Sequence, residues 1–254
     1  MLYYCFEQSK VLRTLNTSKR NDLAVIDTDG ISMAAIKAAC ARGVWVYGYI
    51  NGGALERERS YYKDYKNMIL APYDGWPGEY WVDVTKPAWR EHILAEAKKI
   101  RETGAIGVYL DNTDIYYMVK SGKVKLKDVK DRSLAIYYVY HALEGIVDMI
   151  QHDIGLIVMP NGGDNFVRRF ITEHPGLIQT INQEGLFYED FKKQSKEETE
   201  YRKNWCKWAQ KHISGKVRII DYCKKPAEIA KVKAYCFAHG WDCYISKHKN
   251  LEGD

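Results

Sequence analysis

The chain has 254 residues, 46% of them hydrophobic, which is enough for one large domain with a substantial core. Its net charge of +5 is spread over pairs such as Lys98-Lys99, Lys192-Lys193 and Lys224-Lys225, which read as solvated helix faces and argue against a nucleic-acid partner. Apolar runs fall short of the ~18 residues of a membrane span, and Met1 leads into a strand-like segment with no signal peptide, so a complete chain would be cytoplasmic.

Strands are predicted at 2–7, 23–27, 44–50, 106–111, 155–160, 177–182, 217–222 and 243–246, each a short run rich in apolar or aromatic residues. Helical patterns intervene, most clearly at 32–41, 87–103, 129–152, 193–212 and 226–239. Pro87 and Pro226 fall where a first helical turn tolerates proline. Gly43, Gly104 and Gly240 fall where helices end on a glycine cap. Eightfold alternation predicts an α/β fold, a (β/α)8 TIM barrel forming a single domain over residues 1–254. A doubly wound sheet fits less well, because Glu7-Gln8-Ser9-Lys10 after the first strand is not a glycine-rich phosphate turn. The connections 51–86 and 112–128 are long, as expected of loops that build a cleft.

In such a barrel, chemistry sits at the C-terminal strand ends. Those ends carry Glu7, then Asp27 and Asp29, then Tyr49 and Asn51. Asp111, Asn112 and Asp114 follow the fourth strand, and Asn161 follows the fifth. Asn182, Gln183 and Glu184 close the sixth, Asp221 and Tyr222 the seventh, and Lys247 and His248 the eighth. Local capping accounts for one or two of these polar groups but poorly for all of them. Asp111 stands out, because an acid ending a buried apolar run must be paired or functional.

Two carboxyl groups flanking one bond are what glycoside hydrolysis needs. Asp111 and Glu184, on the fourth and sixth strands, fit opposite sides of a cleft. Other chemistries fit less well. The seven histidines include no H-x-H pair, there is no G-x-S-x-G nucleophile elbow, and no strand interior carries a Schiff-base lysine. No cofactor and no metal are expected. The six cysteines include no C-x-x-C pair and read as free thiols, with Cys5–Cys243 the one bridge that paired first and last strands would allow.

Tyr109-Leu110-Asp111-Asn112 with Asp114 and Tyr116 resembles the LDN-x-D-x-Y signature of glycoside hydrolase family 114, the TM1410-like proteins. Asn182-Gln183-Glu184 with Phe187 and Tyr188 resembles its strand-six segment, Val46 to Gly52 its strand-three region, and Trp81-Val82-Asp83 with Trp89 and Arg90 its W-L-D-I-R element. The pieces come in the family's order over most of the chain. The chain has Asn-Gln-Glu where the family has Asn-Glu-Gln, which makes Glu189 the alternative to Glu184. The resemblance implies a retaining endo-glycosidase acting on an α-1,4-linked galactosamine-containing polysaccharide. Asp111 would be the nucleophile and Glu184 the general acid/base. It also implies a secreted protein.

A poly- or oligosaccharide is therefore the expected partner, with Glu7, Asp27, Asp29, Tyr49, Trp81, Asp83, Tyr109, Asn112, Asp114, Asn161, Asp221 and Tyr222 expected to bind it. The cleft is acidic although the chain is basic, which suits a cationic amino sugar, unless local Lys or Arg neutralise those acids. A carbohydrate-binding barrel without turnover, and a barrel hydrolase of another class, are the alternatives.

Overall fold

The computed structural model describes residues 1–253. Its central strands are β1 (Leu2–Cys5), β2 (Leu23–Ile26), β3 (Trp45–Asn51), β4 (Gly107–Asp111), β5 (Ile157–Pro160), β6 (Ile181–Glu184), β7 (Val217–Tyr222) and β8 (Asp242–Ser246). Strands β1 to β5 form one parallel ladder in chain order, and β6 to β8 form another. A parallel bridge from Asn161 to Asn182 links β5 to β6. β8 lies beside β1. The strands therefore follow one another around a barrel, as the alternation predicts, with the ladder thinned to a single bridge at β5/β6.

Alternation along each strand sorts side chains into two cores. On β4, Val108 and Leu110 face the outer core, packing with Trp89 and Ile93 of the helix Pro87–Glu102 and Leu143 of the helix Arg132–His152. Tyr109 faces inward with Tyr4, Tyr47, Met159, Ile220, Tyr222 and Tyr244. Tyr4 and Tyr109 come from strands that are not sheet neighbours, yet their rings meet edge-on at 5.8 Å, so the meeting point is the barrel interior. At the β1/β8 seam the C-terminal segment folds back. Leu251 is buried among the inner residues, and its carbonyl accepts from Phe6 N at 2.8 Å.

Several element bounds move from their predicted places, and capping explains most of the shifts. β1 stops at Cys5 because Glu7 caps the helix Gln8–Thr17 through Ser9 N. The helix expected from 129 starts at Arg132, where Asp131 accepts from Leu134 N. The helix expected from 193 starts at Lys196, where Ser195 accepts from Glu198 N. β6 begins at Ile181, later than predicted, because the turn at Pro175-Gly176 runs through Leu177. Glu184 consequently ends the strand itself.

The two long connections are more ordered than loops. Residues 51–86 hold a three-stranded antiparallel sheet of Ala54–Glu56, Glu79–Val82 and Ile69–Pro72, with Glu79–Val82 central. The segment after β4 contains the helix Ile115–Ser121. All six cysteines are free, so the suggested Cys5–Cys243 bridge is absent. Among the described residues no helix is long and apolar enough to cross a membrane.

Candidate active site

β4, β5 and β6 deliver Asp111, Asn161 and Glu184 side by side at the barrel mouth. Asn161 Nδ2 donates to Asp111 Oδ1 at 2.9 Å and to Glu184 Oε1 at 2.8 Å. Sharing one nitrogen holds those two oxygens within about 6 Å of each other, on the scale of a catalytic carboxyl pair. The orientation of the Asn161 amide is set from below. Asn182 Nδ2 donates to Asn161 Oδ1 at 2.7 Å, and Asn182 Oδ1 in turn accepts from Tyr4 OH at 2.5 Å. A buried polar row thus runs from the barrel interior to the two acids.

The acids differ in their remaining partners. Asp111 Oδ1 also accepts from Asn112 N at 2.9 Å, so the donors it meets are N–H groups. Glu184 accepts from two hydroxyls, Tyr222 OH at 2.6 Å and Tyr109 OH at 3.1 Å. Burial pushes both carboxyls above their ordinary values, and the Glu184 charge pushes Asp111 up further. The tyrosine and asparagine donors oppose the rise at Glu184. Two such acids in one desolvated site hold a proton more tightly than free carboxyls do.

The other expected binding residues divide by location. Tyr109, Tyr222 and Asn161 touch Glu184 directly, and Asn112 flanks Asp111. Asp114 is half-buried, accepts from Gly163 N at 3.1 Å, and is pushed up to about 6 by desolvation and by the Asp164 charge. Tyr49 reaches Glu56, with its OH donating at 2.9 Å.

Several residues are spent on the fold instead. Asp27 is buried and bound by Arg59 Nη1 at 2.7 Å, while Asp29 stands exposed at 3.7 Å from the same nitrogen. Glu7 is an exposed helix cap. Asp83 caps the turn before Pro87, accepting from Thr85 N at 3.1 Å. Asp221 accepts from three backbone N–H groups, those of Phe187, Tyr188 and Tyr222, and so anchors the loop after β6 rather than facing a ligand. Trp81 is 3% exposed and covered by Tyr73, stacked at 4.2 Å, so it has no face left for a sugar. Glu189 is tied to Arg202 at 2.8 Å and is not hydrogen bonded to Asn161. The strand-end position of Glu184 makes it the acid that meets Asp111.

Two mouth residues escape a reading of strand ends alone, Glu79 and Tyr73. Both belong to the inserted sheet and its turn. Glu79 Oε1 accepts from Asn51 Nδ2 and from Asn112 Nδ2, each at 2.8 Å. Burial, with Glu56 and Glu58 nearby, pushes Glu79 up to about 7. The Tyr73 hydroxyl is pushed up by burial and by the charges of Asp111, Asp114, Glu79 and Glu184, and its ring stacks on Trp81. The usable signal was the polar, aromatic content of 51–86. The fold that aims it was not legible. Gly53 makes the docking possible, because a Cβ there would overlap the Asn112 carbonyl oxygen. Asn112 itself adopts φ 61°, a left-handed conformation that asparagine tolerates.

The grouping of Glu144, Glu173 and His174 has metal-like proximity, with ligand atoms within 4.8 Å of one another, but it lies on the outer helices, where His174 Nε2 and Glu144 Oε1 pair at 2.6 Å.

The family model of glycoside-hydrolase family GH114 matches residues 6–158, more than half of the chain. The chain belongs to this family. The resemblance drawn from the LDN segment holds. An uncharacterized protein of Deinococcus radiodurans is 35% identical over 96 residues, covering 35% of this chain and 31% of that protein. One of Thermotoga maritima is 27% identical over 180 residues, covering 66% and 54%. The chain thus spans about a third and about half of these two curated relatives. Among solved structures, the glycoside hydrolase domain of PelA from Pseudomonas aeruginosa superposes with a TM-score of 0.78 at 16% identity, covering 100% of this chain and 97% of that one. Ega3 of Aspergillus fumigatus, in complex with galactosamine, gives 0.70 at 16% identity, covering 100% and 92%. Both likenesses establish that the GH114 chain shares their fold.

Proposed function

We propose that this GH114 protein is a retaining endo-glycosidase of an α-1,4-linked galactosamine-containing polysaccharide, with Asp111 as nucleophile and Glu184 as general acid/base. The described strands β1 to β8 follow one another in chain order around a single barrel, which supports reading residues 1–254 as a single catalytic domain. The observation that carries the mechanism is the shared Asn161 nitrogen. It keeps the facing carboxylate oxygens within about 6 Å, closer than the ~6.5–9.5 Å that leaves room for a water in an inverting pair.

The hydrogen bonds support the division of roles. Asp111 Oδ1 is held by N–H donors, which cannot accept a proton, so this oxygen stays an acceptor and Oδ2 is left for attack. Glu184 is held by tyrosine hydroxyls, which can turn from donor to acceptor when the glutamate carries a proton. In the first step Asp111 Oδ2 bonds to the anomeric carbon. The bond from that carbon to the glycosidic oxygen breaks, and Glu184 protonates the departing oxygen. In the second step Glu184 takes a proton from water, the water oxygen bonds to the anomeric carbon, and the ester to Asp111 breaks. Galactosamine as the sugar is supported by the family resemblance and by the ligand in the Ega3 complex.

Proton NMR of the first-formed product from an α-1,4-galactosamine oligomer tests the reading. Retention of the α-configuration is expected, with Asp111→Asn and Glu184→Gln each losing at least ~10³-fold in kcat. A β-configured first product, or full activity in either variant, overturns it.

A further inference from the structure

The third half-buried carboxyl at the mouth, Glu79, has no part in that mechanism. Glu79 reaches the mouth from the inserted sheet, on the side of Asp111 away from Glu184. Asn51, at the end of β3, pairs in register with Asp111, and Asn112 follows Asp111 directly. Both asparagines donate to the same Glu79 oxygen, Oε1, and Asn112 Nδ2 also reaches Asn51 Oδ1 at 3.0 Å. Oε2 has no hydrogen-bond partner among the described residues, and neither Lys nor Arg pairs with Glu79 there. The nearby cation, Arg59, is committed to Glu56 and Asp27. Glu79 is therefore a carboxyl with one oxygen locked by neutral amides and the other open, beside the acid assigned to attack.

The sugar carbon next to the anomeric carbon carries the amine in galactosamine. A group neighbouring the nucleophile is well placed to meet that substituent. We propose that Glu79 is the specificity residue that selects a free amine over an N-acetyl group on the sugar seated at Asp111. The inference rests on the reading under Proposed function. An ammonium gains a charge-assisted hydrogen bond to Oε2. An acetamide is neutral, bulkier and gains no ion pair.

The environment of Glu79 adds a pH signature. The groups facing it are Glu56 and Glu58 from the inserted sheet and its turn, Asp111 from β4, Tyr49 from β3 and Tyr73 from the sheet's second turn, together with the two asparagines. Burial and the acids resist its ionisation near neutral pH, and the amides favour it. An ammonium binds the ionised form, so affinity rises with pH through neutrality while the amine keeps its charge.

Calorimetric titration of galactosamine and N-acetylgalactosamine at pH 6, 7 and 8, into the native protein and Glu79→Gln, tests the proposal. Glutamine keeps the acceptor for both asparagines. The native protein should prefer galactosamine by about tenfold or more, one ion pair's worth. Its galactosamine Kd should fall several-fold from pH 6 to 7, before the sugar's own amine begins to lose its charge toward pH 8. Glu79→Gln should bring the two sugars within about threefold of each other and flatten the pH dependence, with N-acetylgalactosamine affinity unchanged. Retention of both preference and pH slope in Glu79→Gln overturns the proposal. Should that variant lack a cooperative melt, a native Kd that is constant from pH 6 to 7 overturns it. Oligomer cleavage separates the two readings. A native protein that binds galactosamine through Glu79 but cleaves no galactosamine oligomer defeats the catalytic reading and leaves this one standing.

Discussion

Two acidic clusters stand at the same barrel mouth and are satisfied in opposite ways. On the β2/β3 side, Asp27 and Glu56 share Arg59, whose guanidinium is held between them. On the β4–β6 side, Asp111 and Glu184 share Asn161, a neutral amide, and among the described residues no Lys or Arg pairs with either carboxyl. A cation between two acids makes a closed ion-pair unit, costly to open. An amide between two acids adds no charge, so the pair stays able to gain and lose a proton. The residue types are alike, and the bridging group decides which pair braces the mouth and which is free for chemistry.

Replacing either bridge probes this contrast. Asn161→Ala removes the group that orients both acids, and kcat/KM should fall about 100- to 1000-fold, roughly 3–4 kcal/mol, with thermal melting little changed. Arg59→Met should do the reverse, costing about 3 kcal/mol of stability by leaving Asp27 and Glu56 uncompensated. Burial already raises Asp27, and without Arg59 it rises further above its unfolded value, so denaturant melts should show the loss growing as pH climbs from 5 to 8. An unchanged kcat/KM in Asn161→Ala, or an unchanged melt in Arg59→Met, breaks the contrast.

Smaller changes sharpen it. Tyr222→Phe deletes the 2.6 Å donor to Glu184, and about a tenfold fall in kcat/KM is expected. A carboxylate that loses a donor holds its proton more tightly, so the basic limb of the kcat/KM profile should move to higher pH. Asp114 is raised to about 6 from the ordinary carboxylate range near 4, so its share of stability is present below pH ~4 and lost as pH rises through about 6. Asp114→Asn should therefore stabilise the protein by about 1 kcal/mol at pH 7.5, and by none at pH 4, in paired thermal melts.

Much of this was legible from short-range pattern. Alternating apolar runs and glycine caps marked eight strands and their order, because period and capping are local properties of the chain. Asp111 was conspicuous because an acid closing Val108-Tyr109-Leu110 has no packing reason to be there. The same reading over-counted the cleft. Glu7, Asp83 and Asp221 look like ligand-binding acids in one dimension, but backbone N–H groups claim all three.

By itself, then, the amino-acid sequence determined the barrel, its direction and the acid at the end of β4. Tertiary structure alone decided which acids meet. Asn161 touches Asp111 and Glu184 because β5 lies between β4 and β6 at the thinned β5/β6 seam, a contact spanning 50 and 23 positions of chain. Glu79 enters because a side sheet folds back over β3 and β4 with Gly53 pressed against Asn112. Hydrogen-bond partners at such separations are set by packing, and packing is what assigns these carboxylates their surroundings and their protons.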